Sequence, residues 1–306
     1  MGEFMSSFKK VLSKALVICS VLSMSPTTFA QAQCGTQPLK VPLPAGARIS
    51  PADLSDKGAI VGTLTSVSPT TGTESFTGFL FSQGVFTHFR FPGSIDTMPG
   101  DINNHSVIVG SFTVDFSGNS HPFMVRNGVF TKIKLPGFPN ASATAAGIND
   151  LGDITGVITA NGVVQSYLLH QGKVTLISFP GAEGGTFARS INNAGVIVGG
   201  YRLGPESTDH AGGFSWKNGV FTTIEVPGSN DTFPAKINDK GVIVGLDFDS
   251  QDVNRGFALV DGKFFNLVPD PDGTDVFALN NFNNVLGQTF STGSVGLFKG
   301  FCSAVF

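Results

Sequence analysis

The sequence predicts an all-β chain folded as a six-bladed β-propeller of four-stranded blades, with the ring closed by the chain termini. Three observations predict it. A line of the form Ile-Asn-Asn/Asp-x-Gly-x-Ile-Val-Gly recurs along the 306 residues, a Gly-Val-Phe line ending in Pro-Gly follows each copy, and the chain holds 39 Gly, 17 Pro and 29 Phe. Short aromatic strands separated by frequent turns use that mixture.

The first line is clearest at Ile191 to Gly199 and returns at Ile102, Ile148 and Ile237, with weaker copies at Leu54 and Leu279. The intervals between starts are 48, 46, 43, 46 and 42 residues. Within each unit, strand a ends in Ile-Asn and a tight Asn-x-x-Gly turn leads to strand b, the Val-Ile-Val-Gly segment. After a variable loop comes aromatic strand c, as in Gly78-Phe79-Leu80-Phe81. A short turn then leads to strand d, which stops at Pro-Gly. The c–d turns are expected at Gln83-Gly84, Asn127-Gly128, Gln171-Gly172, Asn218-Gly219, Asp261-Gly262 and Lys299-Gly300, because glycine supplies the positive φ that tight hairpins require. Strand b is apolar on both faces, which suits a strand packed between neighbouring sheets. Four-stranded units of this length suit propeller blades. An open β-solenoid is the other architecture, although its rungs are usually shorter.

The first 32 residues are expected to be a secretory signal peptide. Lys9, Lys10 and Lys14 precede the apolar run Ala15 to Leu22, and small residues mark a cleavage site near Ala30 and Ala32. Met1 to Phe4 reads as a cloning scar or an upstream start. Residues 33–306 form the single propeller domain. The apolar run is too short to span a bilayer. Cleavage leaves Cys34 and Cys302 at opposite ends of the mature chain, and a closed ring with an oxidising destination predicts that they pair. Ring closure has two candidates for the outer strand of the last blade, Leu39 to Pro44 and Phe301 to Phe306.

The formal charge is −3; removing Lys9, Lys10, Lys14 and Glu3 leaves 16 basic and 21 acidic residues, or −5. That balance argues against nucleic acid as a partner. The expectation is a secreted or periplasmic monomer.

The repeated lines resemble the bacterial "extracellular repeat, HAF family" proteins, over nearly all of residues 39–306. The His-Ala-Phe of that name is degenerate here, closest at His121-Pro122-Phe123. The resemblance implies export and a repeated β fold, and it transfers no catalytic residue.

Function is sought on the face that carries the b–c and d–a connections, because these are long and variable whereas the a–b and c–d turns are tight. Thirteen acidic residues lie on those connections, opposed by Arg202 and Arg255. Such a face attracts cations, and a merely solvated surface is the other reading. Asp247, Asp249 and Asp252 form one cluster and Asp270, Asp272 and Asp275 a second. Alternating carboxylates around Gly273 suit calcium on flexible loops, although the distal Glu and flanking helices of an EF-hand are missing. Glu206, Asp209 and His210 place acid and imidazole together as a candidate acid–base set; a loop salt bridge is the simpler reading. Asn103, Asn149, Asn192, Asn238 and Asn280 read as turn formers. Two functions follow. One is a calcium-dependent hydrolase of a small extracellular ester or lactone. The other is a non-catalytic binding propeller recognising a glycan, peptide or surface partner.

Overall fold

The structure is a computed structural model and describes residues 30–31, 34–43, 46–68, 70–204, 210–290 and 296–302. Six antiparallel sheets form a ring, and no helix occurs among the described residues. Blade one comprises Arg48–Leu54, Ile60–Val67, Glu74–Ser82 and Val85–Phe89 as strands a to d. Blade two comprises Asp96–Ile102, Ile108–Thr113, His121–Arg126 and Val129–Lys132. In blade three strand a is broken into Ser142–Ala143 and Gly147–Ile148, and Ile154–Ala160, Val163–His170 and Lys173–Ile177 follow. Blade four is Gly185–Ile191, Ile197–Arg202, Ala211–Lys217 and Val220–Ile224. Blade five is Asp231–Ile237, Ile243–Phe248, Asn254–Val260 and Lys263–Leu267.

The last blade closes the ring with the beginning of the chain. Its strands are Thr274–Leu279, Asn284–Thr289 and Gly296–Cys302, and the outer strand is Cys34–Pro38. Among the described residues neither sequence candidate forms that outer strand; Pro44 and residues 303–306 lie outside them. Leu39 only extends the ladder, its N–H donating to the Leu297 carbonyl at 2.9 Å, and Phe301 and Cys302 belong to strand c. Lys299-Gly300, expected as a c–d turn, also lies inside strand c, paired with Gln37 and Thr36. With the outer strand supplied by the other terminus, this blade has no c–d hairpin to turn. Cys34 lies directly opposite Cys302 in the ladder, and the two form the predicted disulfide. Of the expected leader, Ala30–Gln31 pair in parallel with Phe265 and Asn266 on the outer edge of blade five.

The remaining c–d turns fall where glycine marked them. Both central residues have positive φ at Gln83-Gly84, Asn127-Gly128, Gln171-Gly172, Asn218-Gly219 and Asp261-Gly262, the conformation of a two-residue type I′ hairpin. Strand a carries a register shift in five blades, at Pro51/Asp53, Pro99/Asp101, Ala188/Ser190, Pro234/Lys236 and Val276/Ala278. There its backbone presses against the last glycine of the Val-Ile-Val-Gly line. A Cβ on Gly199 would sit 2.1 Å from the Phe187 carbonyl oxygen, and on Gly245 2.2 Å from that of Phe233. The recurring glycine is thus a packing requirement, since no side chain fits between the two strands.

The apolar core lies between blades. Val107, Val109, Ile133 and Leu135 of blade two meet Ile148, Ile154, Ile158 and Tyr167 of blade three, while Leu54, Ile60 and Phe79 of blade one meet Ala278 and Leu286 of blade six.

Candidate functional site

The a–b turns converge on the propeller axis. In four of these turns an asparagine side chain accepts two backbone N–H groups of its own turn or the strand it leads into, and in the fifth Asn149 accepts one, from Asp153. Asn103 Oδ1 accepts from His105 and Val107, and Asn238 Oδ1 from Lys240 and Val242, all at 3.0 Å. This is the expected turn-forming role. The same side chains also reach the next blade. Asn103 Nδ2 donates to the Asn149 carbonyl at 3.0 Å, and Asn149, Asn192, Asn238 and Asn280 continue the series to the Ser55 carbonyl. Ser55, in place of a sixth asparagine, has no amide to extend the chain of bonds.

The following residue builds a second ring, in which aspartate and asparagine alternate: Asp56, Asn104, Asp150, Asn193, Asp239, Asn281. Each backbone N–H donates to the Oδ1 of the next member, at 2.7–2.9 Å, and the last link returns from Asn281 to Asp56. Each asparagine Nδ2 divides its two hydrogens between the flanking carboxylates, as Asn104 does to Asp56 at 2.8 Å and Asp150 at 3.0 Å. The ring closes an axial pocket of ≈ 60 Å³, room for a few waters. Beneath it, the Lys236 ammonium bridges Asp53 and Asp101 from across the axis. Burial and the nearby Asp53 charge push the Asp101 pKa well above the usual carboxylate range. Burial opposes the charge on Asp53 too, but the Lys236 ammonium and hydrogen bonds from Asp101 and Lys236 hold its pKa below the ordinary value. The pocket is too small for an ester, lactone or sugar, and the ring carboxylates already accept protein donors. The axis is therefore a structural closure.

A larger cavity, ≈ 720 Å³, lies between the outer strands of blade two and the b and c strands of blade three, beside the a–b turn Leu151-Gly152 and the c–d turn Gln171-Gly172. That volume falls in the range of roughly 300–1,000 Å³ typical of small-molecule sites. Met124, Leu151 and Leu169 give it an apolar wall, backed by the buried Ile133 and Ile154, and Lys132, Lys134 and His170 a basic margin. His170 Nδ1 lies 2.6 Å from Asp153 Oδ1, with the His side chain 53 % exposed and the Asp side chain 12 %. Asp153 Oδ2 accepts from Asn149 Nδ2 at 3.2 Å, and the Asp153 N–H donates to Asn149 Oδ1 at 2.8 Å. The carboxylate is thus anchored on the a–b turn and holds the imidazole ring in place. Lys132 Nζ lies 3.2 Å from His121 Nδ1. Burial, together with the Lys132 charge, lowers the His121 pKa, so that ring is a neutral partner to the ammonium.

This dyad is absent from the sequence-level candidates, yet a signal for it exists. The position of Asp153, four residues after the turn asparagine, holds Ala59, Val107, Val196 and Val242 in four other blades and the neutral Asn284 in the last. A buried carboxylate there departs from what the fold requires.

The sequence-predicted residues are dispersed over blades four to six. Glu206 and Asp209 lie outside the described residues. His210 Nδ1 lies 3.1 Å from the Asn230 carbonyl and 3.6 Å from Asp231 Oδ1, and its Nε2 is 3.9 Å from Glu225 Oε1. Asp247 is buried at the end of strand b and accepts from the Ser229 hydroxyl; burial raises its pKa to about 6. Asp249 accepts the Gln251 and Val253 N–H groups and pairs with Arg255, and Asp252 accepts from Asn230 Nδ2 at 3.2 Å. Asp270 caps its own turn through the Asp272 N–H at 3.0 Å. Asp275 accepts from Asn254 and Gln288, both at 2.8 Å. Among the described residues no three His, Cys, Asp or Glu groups are gathered so as to hold a metal ion, and no helix among them is long and apolar enough to cross a membrane.

No family model matches the chain, and no curated protein does. Solved structures share the architecture. The β-propeller domain of the Trilobed protease from Pyrococcus furiosus, described as having an open velcro topology, superposes with a TM-score of 0.51 at 10% identity, over 85% of this chain and 94% of that one. An acylaminoacyl peptidase in complex with Z-Gly-Gly-Phe-chloromethyl ketone gives 0.50 at 13% identity, over 83% and 44%. The Pyrococcus horikoshii acylaminoacyl peptidase gives 0.49 at 12%, over 79% of this chain and 49% of that one, so the chain spans about half the length of that peptidase. At these identities the likeness establishes the β-propeller fold alone.

Proposed function

We propose that the protein is an exported, non-catalytic binding propeller whose ligand occupies the groove between blades two and three. The observation that carries this reading is the cavity itself: it is of ligand size, apolar along one wall and polar at its margin. Export is supported by the lysine-led apolar segment at the N-terminus and by the Cys34–Cys302 disulfide. A small molecule or the tip of a peptide or glycan fits the groove; the axial pocket admits none of them.

The test is an uncharged apolar dye, Nile red, titrated against wild type and Thr131→Trp. Thr131 is an exposed lining residue, so the indole fills the groove without touching the core. Saturable one-to-one binding to wild type, lost in the variant with the melting point retained, supports the reading. Dye that fails to saturate, or that binds both proteins equally, overturns it.

Hydrolysis is the second reading, favoured by the Asp153–His170 pair. A carboxylate that fixes an imidazole is the arrangement of a general base. Turnover on an ester and lactone panel that disappears in His170→Ala would replace the binding reading. The calcium-dependent form of that activity would draw on Asp247, Asp249 and Asp252 or on Asp270, Asp272 and Asp275. The carboxylates of Asp247, Asp249, Asp252, Asp270 and Asp275 are turned to protein donors. Calorimetric heat with calcium, together with a melting point lowered by chelator, would bring the metal-dependent form forward.

A further inference from the structure

We infer that the ligand of the groove between blades two and three is an amphipathic acid, its carboxylate read by His170 and Lys134 and its apolar body laid along Met124, Leu151 and Leu169. The inference rests on the binding reading above and deepens it.

The charge of the groove carries the argument. The chain as a whole has more acids than bases, 22 against 19. The groove lining reverses that order, with Lys132 and Lys134 against Asp153 alone, and His170 beside them. Asp153 does not offer its charge to a ligand. It is buried, and its two oxygens are taken by His170 Nδ1 and Asn149 Nδ2. Its pairing with Nδ1 leaves Nε2 as the ring atom available to the groove, a donor to a carboxylate when the ring carries both protons. Lys132 is drawn toward His121, so Lys134 and His170 are the basic groups set beside the apolar wall. An apolar wall ending in the Lys134 ammonium and an imidazole is complementary to a molecule with an apolar body and an anionic head. Asp153 is a positioning residue: it acts on the ligand only through the orientation of the ring.

The experiment uses the mature protein loaded with Nile red and displaced by octanoate, octanol or octylamine, which share one chain length and differ in head group. Octanoate should displace the dye about tenfold more readily than octanol, the size of a hydrogen bond to a charged group, and octylamine should be weakest. Lys134→Ala and His170→Ala should each erase most of the preference for octanoate and leave octanol unchanged. Asp153→Asn should weaken octanoate as His170→Ala does, while His170→Gln, which keeps a donor, should restore part of it. Equal displacement by octanoate and octanol overturns the inference, as does a dye complex that none of the three disturbs. Absence of dye binding to wild type strikes instead at the groove as a site.

Discussion

Lys236 Nζ lies 2.9 Å from Asp53 Oδ1, and the same ammonium pairs with Asp101, joining blade five to blades one and two through the centre of the ring. The equivalent position after the register shift holds Ser190 in blade four and Ala278 in blade six, so the charge triad is specific to three blades. Lys236→Met leaves two buried carboxylates without their cation, and breaking a buried pair this way costs about 3–5 kcal/mol. Urea unfolding should show that loss, and Asp53→Asn with Asp101→Asn on the Lys236→Met background should recover most of it. A single variant as stable as wild type would show the bridge to be energetically idle.

Asn104→Asp tests the alternating ring. The amide that now donates to Asp56 and Asp150 becomes a third carboxylate between two others. The expected loss at pH 7 is about 1–3 kcal/mol. The new group should have a folded pKa above its unfolded one, because neighbouring like charges disfavour ionisation. Its deficit is therefore small below pH ~4 and grows as pH rises to neutrality. Melting curves across that range would show the trend; a deficit independent of pH would place the damage elsewhere.

Ser55→Asn should stabilise the protein. The introduced side chain could accept the Lys57 N–H through its carbonyl and donate to the Asn103 carbonyl through its amide, completing the inner series that stops at Ser55. The gain expected for such a hydrogen bond is about 0.5–1.5 kcal/mol, read as a higher midpoint in chemical denaturation. An unchanged or lowered midpoint would mean that the gap between blades one and two is already satisfied.

Asp247 predicts a pH effect of defined sign. Burial raises its folded pKa from 3.8 to about 6, and its Oδ1 has no hydrogen-bond partner among the described residues. A raised carboxyl favours folding fully below its unfolded pKa, and that contribution is lost as pH climbs through the folded value. Asp247→Asn keeps an acceptor for Ser229 and carries no charge. It should match wild type near pH 4 and exceed it by up to about 3 kcal/mol at pH 8. Parallel melting curves at the two pH values decide it.

The blades and most of their turns were legible because each repeat states its own local physics. Gln83-Gly84 or Asn218-Gly219 needs only two residues to form a hairpin, and Ile197 to Gly199 shows its burial in its composition. The closing strand was not legible in the same way. Cys34–Pro38 is mostly exposed and lacks an alternating apolar pattern; it is held by its partner Gly296–Cys302 and the disulfide, both remote in sequence. Spacing to glycine marks the asparagines as turn formers, but their second bond runs to the next blade, 42 to 46 positions away for four of them and 225 for Asn280, which local reading does not see. Asp153 stood out only by comparison with Ala59 and Val107 in other repeats. His170 joined it through pairing of strands b and c, in which Ile154 faces Leu169.

The Asp–Asn alternation also limits how such a chain can have arisen. Members that must differ from both neighbours can be seated around a circle only in even number. Copying one repeat would set two amides or two carboxylates side by side at the seam, whereas copying two in tandem preserves the order. Duplication in pairs of repeats, about ninety residues, keeps the order at every step, whereas adding a single repeat calls for a compensating exchange of Asp and Asn at the seam.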